Sequence, residues 1–316
     1  MVVAGPRARW RHALDPTPSR PEIRYVTDWR DVETHVELVP WGWTEDLLLT
    51  ARVKRWHHPQ VDPAVVKWAN SRRMSAEMET TLGCGLPGAK ACRSLDEVAL
   101  AITALPEPRR WVVKAEFGMS GRERQVGQGP LTTPAANWIT RRLVAEGVVF
   151  FEPWVDRLDE VGILFDVPIT GDPILVGVAP MLIAPGGHYR GSWFAPPVTE
   201  SPCWTEAVTI ATNAARQLQA RGYVGPLGID AMHYRRPDGT TGVRPLQDIN
   251  ARWSMGRLAW NWRTQFADAT CGYWWHGPKT AFNAGEHLTA WPLTQSPHVL
   301  RTSPAHTEHV AALVWT

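Results

Sequence analysis

The sequence of residues 228–252, GIDAMHYRRPDGTTGVRPLQDINAR, has the pattern of a β-hairpin. Proline restricts φ and glycine tolerates positive φ, so the Pro237-Asp238-Gly239 segment predicts a tight turn. Residues on both sides of this turn alternate between apolar and polar side chains, as in a half-buried strand. The stretch therefore predicts two antiparallel strands joined at the turn.

The alternation also assigns side chains to the two faces of the hairpin, because strand side chains have a period of two. In the first strand, Asp230 faces away from three apolar residues, which are Leu227, Ile229 and Ala231. In the second strand, we expect Leu246, Asp248 and Asn250 to share a face. Folding the hairpin about its turn places Asp230 opposite Asp248 on one face, within about one register step.

Two directly opposed carboxylates repel each other, so a cation between them is expected. A site of aspartate and asparagine oxygens suits a hard divalent ion, and Mg²⁺ commonly combines one or two carboxylates with phosphate oxygens. Asp230, Asp248 and Asn250 are therefore candidate Mg²⁺ ligands, with Mn²⁺ as an alternative ion. A solvated hairpin with aspartates on its wet face explains this stretch equally well.

Composition limits the class of protein. The chain has 316 residues, a formal net charge of +2 and 20% charged residues, so neither nucleic acid nor another strongly charged partner is expected. Its four cysteines lack metal-ligand or redox-motif spacing, which favours free thiols in a reducing compartment. With neither a secretory signal nor an apolar run of membrane-spanning length, the sequence predicts a cytoplasmic protein without a membrane partner.

Lys114 is the first of two further candidates for chemistry. It lies in the apolar stretch Trp111–Glu116, and the chain has only five lysines among 33 basic residues. A compact point charge at the end of a strand suits phosphate binding. The Gly118–Gly129 stretch that follows is expected to be a loop, and its Gly118, Ser120 and Gly121 let backbone N–H groups approach a phosphate. It lacks the P-loop pattern, and a surface lysine before a glycine-rich turn is the alternative.

The second candidate is the segment Glu152–Val155, which follows an apolar strand and resembles a hinge between lobes. The backbone of Trp154 and Val155 is able to pair with an adenine edge, whereas Pro153 has no N–H to donate. A charged loop is expected over 156–160. An ordinary strand end followed by such a loop is the alternative.

The remaining elements predict an α+β fold, since helices and strands mix without a strict βαβ rhythm. Asp62-Pro63 and Ser94 have the pattern of helix starts, and Gly83 that of a helix end. Residues 1–21 are expected to form a tail or a strap. After residue 257, we expect a helix followed by irregular structure.

This order of motifs resembles the ATP-grasp superfamily. It contains a strand with Lys114, a glycine-rich loop, a helix, a strand ending in Glu152, and then Asp230 followed by Asp248-x-Asn250-x-Arg252. The preceding Asn70-Ser71-Arg72 and LGCGLPGAKACRSLDEV segments fit the same pattern. The resemblance covers about residues 65–265.

The resemblance implies a fold of two α+β lobes that clasp ATP, with a reduced N-terminal domain. The implied bounds are 1–64 for the tail and reduced domain, 65–265 for the grasp domain, and 266–316 for a Trp-rich C-terminal extension packed on it. Within the grasp domain, lobe 1 covers about 65–150 and lobe 2 about 151–265.

The resemblance also implies roles for individual residues. Lys114 contacts the α- and β-phosphates, and the loop with Gly118, Ser120 and Gly121 closes over the triphosphate. Glu152 and the backbone of Trp154 and Val155 hold adenine, and Glu160 binds the ribose. Asp230, Asp248 and Asn250 hold Mg²⁺, and Arg252 faces the transferring phosphate.

Two departures from the family pattern bear on these roles. Asp248 stands where the family has the longer glutamate, which leaves the number of metal ions open. The family pattern also has a lysine before the grasp domain, and the corresponding residue in this sequence is Arg72 or Arg73.

The implied activity is an ATP-dependent ligase that joins a small-molecule carboxylate to an amine through an acyl phosphate. A small-molecule kinase and a non-catalytic nucleotide-binding module are the alternatives. The C-terminal segment and the loop around Trp193 are expected to shape the acceptor site. Arg190 and Arg257 are both able to bind a carboxylate, and the sequence selects neither. It does not indicate the oligomeric state.

Overall fold

The computed structural model of the chain describes residues 2–4, 24–26, 28–118, 123–184, 186–195, 202–266, 269, 271–290 and 296–316. In these ranges the strands are β1 (Val2–Ala4), β2 (Arg24–Val26), β3 (Lys90–Cys92), β4 (Arg110–Lys114), β5 (Arg124–Gln128), β6 (Val149–Pro153), β7 (Asp156–Val167), β8 (Ile174–Ile183), β9 (Tyr189–Ala195), β10 (Gly225–Arg235), β11 (Thr241–Asn250), β12 (Gly272–Pro278), β13 (His298–Arg301) and β14 (His309–Trp315). The helices are α1 (Glu45–Lys54), α2 (Pro63–Ala69), α3 (Arg72–Leu82), α4 (Leu95–Thr103), α5 (Thr133–Glu146), α6 (Cys203–Ala220), α7 (Met255–Asn261), α8 (Lys279–Asn283) and α9 (Glu286–Thr289).

Local capping chemistry accounts for the helix boundaries predicted from the sequence. The Asp62 carboxylate accepts a hydrogen bond from the Ala64 amide at 2.8 Å, and Pro63 opens α2. The Ser94 hydroxyl caps α4 in the same way, and Gly83 ends α3 in the left-handed conformation that glycine adopts without strain. The predicted helix starts and the predicted end at Gly83 are therefore confirmed.

The smaller sheet has the strand order β3-β6-β4-β5, with every neighbouring pair antiparallel. One of its faces packs on α4 and α5 through an apolar cluster that includes Trp111, Ile139 and Phe151. Because side chains alternate along a strand, Lys114 and Glu152 lie on the other face. This sheet therefore presents its charged face away from its own core.

Gly127 makes room for the largest side chain of that core. A Cβ at Gly127 would lie 2.2 Å from the Trp111 ring, which is fully buried and donates from its indole nitrogen to the Gly129 carbonyl at 2.9 Å. Gly127→Ala should therefore lower the free energy of unfolding by about 2 kcal/mol through overpacking. Urea unfolding tests this, with Val126→Ala, at an exposed position of the same strand, as the control. Equal stability of the two variants would contradict it.

The larger sheet has eight strands in the order β11-β10-β7-β8-β9-β12-β14-β13. One face packs on α6, α2 and α3, and its core includes Phe165, Ile229 and Leu218, all fully buried. The helix α7 packs on the other face against β7, β8 and β9. Asp230 alternates with Ile229, so it lies on the α7 side, which is the side that carries the candidate site.

Three sequence-based expectations about secondary structure are wrong. The loop expected over Gly118–Gly129 contains β5, which pairs with β4. The charged segment expected as a loop over 156–160 begins β7, which pairs with β10 along its length. The C-terminal tail forms β12, β13 and β14, which extend the sheet, and Trp274 and Trp275 are buried in it. In each case, long-range pairing with another strand determines the structure.

Most of the tail or strap expected over residues 1–21 lies outside the described residues. Within the described ranges, Val2–Ala4 pairs in parallel with Arg24–Val26. Across the described helices, none combines the length and the apolar character that crossing a bilayer requires.

Candidate nucleotide and metal site

The hairpin β10–β11 places the two predicted aspartates opposite each other. Asp230 pairs with Asp248, and Gly228 pairs with Asn250. The turn closes where Gly239 has a φ of 85°, a conformation that favours glycine. The predicted opposition of Asp230 and Asp248 is therefore confirmed, and the three candidate ligands lie together on the α7 side of the sheet.

One detail of the predicted hairpin is wrong. The register shifts between Asp230 and Met232, where the partner changes from Asp248 to Arg244. The extra residues of β11 include Pro245, which cannot donate a ladder hydrogen bond and is tolerated at bulges and on edge strands. Because of this bulge, Leu246 packs in the core with Ile229 and does not share the face of Asp248 and Asn250.

Asp230 lies in an acidic environment. Burial, followed by the carboxylates of Asp248 and Glu160, raises the pKa of Asp230 to about 8. The Asn250 side-chain amide donates to the Asp230 carboxylate at 3.3 Å. A divalent cation in this place would remove the repulsion and release the proton, as expected for a carboxylate ligand.

The oxygen donors of this site fit one hard cation, provided that the Asn250 side chain is free to take part. The described residues contain no group of three or more His, Cys, Asp and Glu side chains able to hold a metal, so the site would rely on two aspartates, the Asn250 amide and oxygen atoms of a bound substrate. The Asn250 oxygen accepts from the Arg252 guanidinium at 2.6 Å, so coordination requires the amide to turn. This donor set matches the Mg²⁺ preference for few protein ligands plus phosphate oxygens.

The raised pKa of Asp230 predicts a pH dependence of stability in the metal-free protein. An unfolded aspartate titrates near pH 3.9, whereas folded Asp230 titrates near 8. The folded state therefore holds more protons between these values, and the stability present below the lower pKa is lost as pH rises towards 8. The melting temperature in EDTA should fall from pH 6 to 8 in the wild type and less steeply in Asp230→Asn. Parallel pH profiles for the two proteins would contradict this.

Two arginines approach the acidic pair from different elements. Arg252 donates to Asn250 and also to the Trp253 carbonyl. Arg72, at the first position of α3, lies 3.8 Å from the Asp248 carboxylate and donates to the Ala115 carbonyl at 3.0 Å. Of the two arginines that the sequence left open, Arg72 lies near the hairpin aspartates, whereas Arg73 pairs with Glu116.

Lys114 belongs to a buried chain of alternating charges. Its ammonium group lies 2.7 Å from Glu152, and the Arg244 guanidinium lies 3.0 Å from the same carboxylate. A terminal nitrogen of Arg244 also donates to the Glu79 carboxylate, at 2.9 Å. Burial lowers the pKa of Lys114, with Glu152 acting in the opposite direction. Burial raises the pKa of Glu152, but the nearby cations outweigh burial and hold it below its usual range.

The candidate adenine and ribose residues lie at the junction of the lobes. The Trp154 amide N–H donates to the Arg110 carbonyl at 2.9 Å, so only the Trp154 carbonyl remains to meet an adenine amino group. Val155 packs near Met232, where the two lobes meet. Glu160 is buried and accepts from Arg157 at 3.1 Å. The adenine and ribose roles of Trp154, Val155, Glu152 and Glu160 stay predictions.

Further cations complete the surroundings of Lys114. Arg124 lies in β5 opposite Lys114 and donates to the Gly186 carbonyl at 2.7 Å, which joins the small sheet to the loop before β9. Burial, followed by the charges of Arg157 and Arg72, lowers the pKa of Arg124. Arg72, Arg124, Arg157 and Lys114 therefore lie close together. Their positive charges would stabilise the phosphates of a nucleotide. Gly118 follows β4, whereas the predicted phosphate-binding Ser120 and Gly121 lie outside the described residues.

A cavity of about 760 Å³ opens beside these charges, between α3, β3 and β6. Its lining includes Arg72, Glu152, Arg244 and Gln247. Asp230 and Asp248 are not among its lining residues in the described part of the chain. The cavity therefore borders the charged chain around Glu152 and comes near the hairpin through Arg72 and Gln247.

Sequence reasoning missed Arg244, Arg124 and Glu79. Arg244 has the same signal as Lys114, since it is a charged residue inside an apolar strand. Its partner Glu79 lies 165 positions earlier in the chain, and the sequence contains no local indication of that pairing.

Comparisons with known proteins bear on the fold of the chain. No protein-family model matches the chain. It is 28% identical over 144 residues to the cycloserine biosynthesis protein DcsG of Streptomyces lavendulae, a match that covers 43% of this chain and 48% of that protein. The match therefore spans about half the length of this curated relative.

Solved structures extend the comparison to most of the chain. An N5-carboxyaminoimidazole ribonucleotide synthetase in its ADP complex aligns with a TM-score of 0.52 and 14% identity, over 93% of this chain and 75% of that one. The biotin carboxylase domain of the Hydrogenobacter thermophilus 2-oxoglutarate carboxylase, in complex with MgADP, ADP and bicarbonate, aligns with a TM-score of 0.54 and 13% identity, over 86% and 67%. These structures share the two-lobed arrangement that the motifs implied, and the chain therefore has the ATP-grasp fold.

Proposed function

We propose that the chain is an ATP- and Mg²⁺-dependent ligase that joins a small-molecule carboxylate to an amine and forms ADP. The observation that carries this proposal is the placement of two opposed aspartates, Asp230 and Asp248, beside a cluster of buried cations around Lys114. Arg72 links the two groups, since it lies 3.8 Å from the Asp248 carboxylate and donates to the carbonyl of Ala115, the residue after Lys114. The neighbouring structures solved with ADP and MgADP support the same assignment.

The reaction follows from this distribution of charge. An oxygen of the acid substrate attacks the γ-phosphorus of ATP, the bond from that phosphorus to the bridging oxygen breaks, and ADP leaves. The amine nitrogen then attacks the carbonyl carbon of the acyl phosphate, phosphate leaves, and the nitrogen loses a proton to give the amide. Such phosphoryl transfer depends chiefly on positioning and on neutralising charge.

The chain's own residues have distinct parts in this scheme. Lys114, Arg72 and Arg124 stabilise the phosphates, and Mg²⁺, when bound, neutralises phosphate oxygens and draws charge from the transferring group. Asp230 and Asp248 hold that ion, and Arg252 stabilises the oxyanion that develops when the amine attacks. The contact from Arg124 to Gly186 closes one edge of the cleft and helps to exclude water, which would hydrolyse the acyl phosphate.

We also propose the cellular compartment in which the protein acts. All four cysteines, including the buried Cys92, are free thiols. Free thiols fit a reducing compartment, which supports the cytoplasm as the place of action.

ADP release in the presence of Mg²⁺ and ATP tests the proposal, using a panel of small carboxylic acids and amines tested singly and in pairs. We expect ADP only when an acid and an amine are both present, with an amide of the two as product. ADP formation with one acceptor and a stable phosphorylated product would favour the kinase alternative. ATP binding without turnover on any pair would favour the non-catalytic module.

A further inference from the structure

Three basic side chains form a cluster on the larger sheet that the proposed reaction does not use. The pairing of β12 with β9 ends at Trp275 and Gly191, which are the sequence neighbours of His276 and Arg190. The strand β14 pairs with β12 so that His309 lies diagonally beside His276. The two imidazole rings stack, with centroids 5.5 Å apart and planes 29° apart.

The cluster lacks an acidic partner. In the described part of the chain, no carboxylate forms an ion pair with Arg190, and neither imidazole ring has a hydrogen-bond partner. Burial, the neighbouring His309 and the charge of Arg190 together lower the pKa of His276, which shows that the three groups act on one another. Arg257, the other arginine able to bind a carboxylate, is already held by Asp166 through two hydrogen bonds of 3.1 and 2.9 Å.

The sheet links this cluster to the reaction site. Arg190 directly follows Tyr189, whose hydroxyl lies 2.9 Å from the Ser192 hydroxyl. Burial raises the pKa of Tyr189, and the charge of Asp230 adds to that shift. Between the two, Gly162 lies opposite Asp230 and Ala179 lies opposite Gly162. Gly162 therefore leaves the sheet surface beside Asp230 without a side chain, whereas Ala179 is fully buried against Gly256 of α7.

We propose that Arg190, His276 and His309 form a subsite that binds an anionic group, a carboxylate or a phosphate, of the acceptor molecule that reacts at Asp230. This inference rests on the proposed function for the identity of the acceptor. An arginine fork with two imidazoles offers several N–H donors and positive charge, which suit either anion. Strands lie about 4.8 Å apart, so the three strand spacings from β10 to β9 alone separate the anionic group from the reacting centre by roughly 14 Å, and the offset along the strands adds to this.

The subsite also explains what the C-terminal strands contribute. His276 and His309 both belong to the segment 266–316, which the sequence identified only as a Trp-rich extension. In this arrangement the buried Trp274 and Trp275 fix β12 in the sheet, and His276 of the same strand faces the acceptor. The extension therefore supplies part of the specificity of the reaction.

Anion titrations of the full chain, followed by NMR of its histidine side chains, test the subsite without requiring turnover. The probes are inorganic phosphate, succinate and the uncharged succinamide, at constant ionic strength. Spectra of His276→Asn and His309→Asn assign the signals. His298, which stacks on Trp315 at the edge strand, is the internal control.

We expect phosphate or succinate to shift the His276 and His309 signals saturably and to leave His298 unchanged. Arg190→Gln should raise the dissociation constant at least about tenfold, the effect of losing one charge-assisted partner, and Arg190→Lys should raise it less. Tighter binding of phosphate identifies a phosphorylated acceptor, and tighter binding of succinate identifies an acidic one.

Equal shifts with succinamide, an unchanged dissociation constant in Arg190→Gln, or unmoved His276 and His309 signals would overturn the subsite. The ligase proposal stands or falls separately. Anion binding in a protein that never releases ADP would support the subsite and remove the ligase, and ADP release without anion binding would do the reverse.

Discussion

Asp248→Asn should lower the rate of ADP release by about a thousandfold while the protein remains folded. Asp248 faces Asp230 across the hairpin, and its side chain retains 36% exposure towards the cleft. Losing one carboxylate from a site with two therefore removes much of the attraction for the divalent ion. That ion contributes several kcal/mol to transition-state stabilisation, and about 4 kcal/mol corresponds to the expected loss.

The measurement is the initial rate of ADP release at saturating ATP with a productive acid–amine pair. Asp172→Asn is the matched control, because Asp172 pairs with Arg216 on the surface and is 76% exposed. Its rate should stay within about twofold of the wild type. If Asp248→Asn retained the wild-type rate, the assignment of the hairpin aspartates to the metal would be wrong.

Arg244→Met should lower the free energy of unfolding by about 3 to 4 kcal/mol. Arg244 is 5% exposed and bridges the buried carboxylates of Glu79 and Glu152. Methionine fills similar volume but leaves Glu79 without its cation, and breaking a buried pair on one side is strongly destabilising. Glu152 keeps its contact with Lys114, so the loss centres on Glu79.

Chemical denaturation measures this effect, and two further variants show its cause. Arg257→Met breaks a pair whose carboxylate, Asp166, is 47% exposed, so hydration should limit its cost to about 1 kcal/mol. Adding Glu79→Met to Arg244→Met should recover most of the lost stability, because paired removal of buried charges is nearly neutral. A double variant as unstable as the single one would indicate that Arg244 acts by packing alone.

The residues that were predictable from the sequence are those with local causes. The turn near Gly239 predicted the opposition of Asp230 and Asp248 to within about one register step, and the bulge that contains Pro245 brings the two aspartates into direct opposition. Helix starts such as Asp62-Pro63 depend on the hydrogen bonds of one turn. Lys114 and Glu152 were identified as separate candidates, and the structure places them in one ion pair.

The residues that were not predictable depend on distant partners. The strands β12 to β14 complete a sheet that begins more than 100 positions earlier. The strand β5 differs from these, since it forms a local hairpin with β4 inside a stretch whose glycines indicate a loop. Glycine content and local polarity describe a segment's own preference, whereas tertiary pairing overrides that preference in strands. The role of Arg244 was not predictable for the same reason, because its stabilising effect depends on its ion pair with Glu79.

The tryptophans show the limit in another way. The chain has 18 of them, and the sequence did not separate core positions from cleft positions. The structure buries Trp111 in the small-sheet core and Trp193, Trp274 and Trp275 around the C-terminal strands. The richness of the C-terminal segment in tryptophan thus reflects a second apolar core that extends the larger sheet.

The most direct test of the account follows oxygen from the acid substrate into phosphate. The acid found in the ADP-release panel is labelled with ¹⁸O in its carboxyl group, and the released phosphate is analysed by mass spectrometry after a single turnover with ATP and the amine. Attack of the carboxylate on the γ-phosphorus, followed by loss of phosphate to the amine, predicts one ¹⁸O atom in each phosphate released. Phosphate without ¹⁸O, formed together with the amide, would contradict an acyl-phosphate ligase.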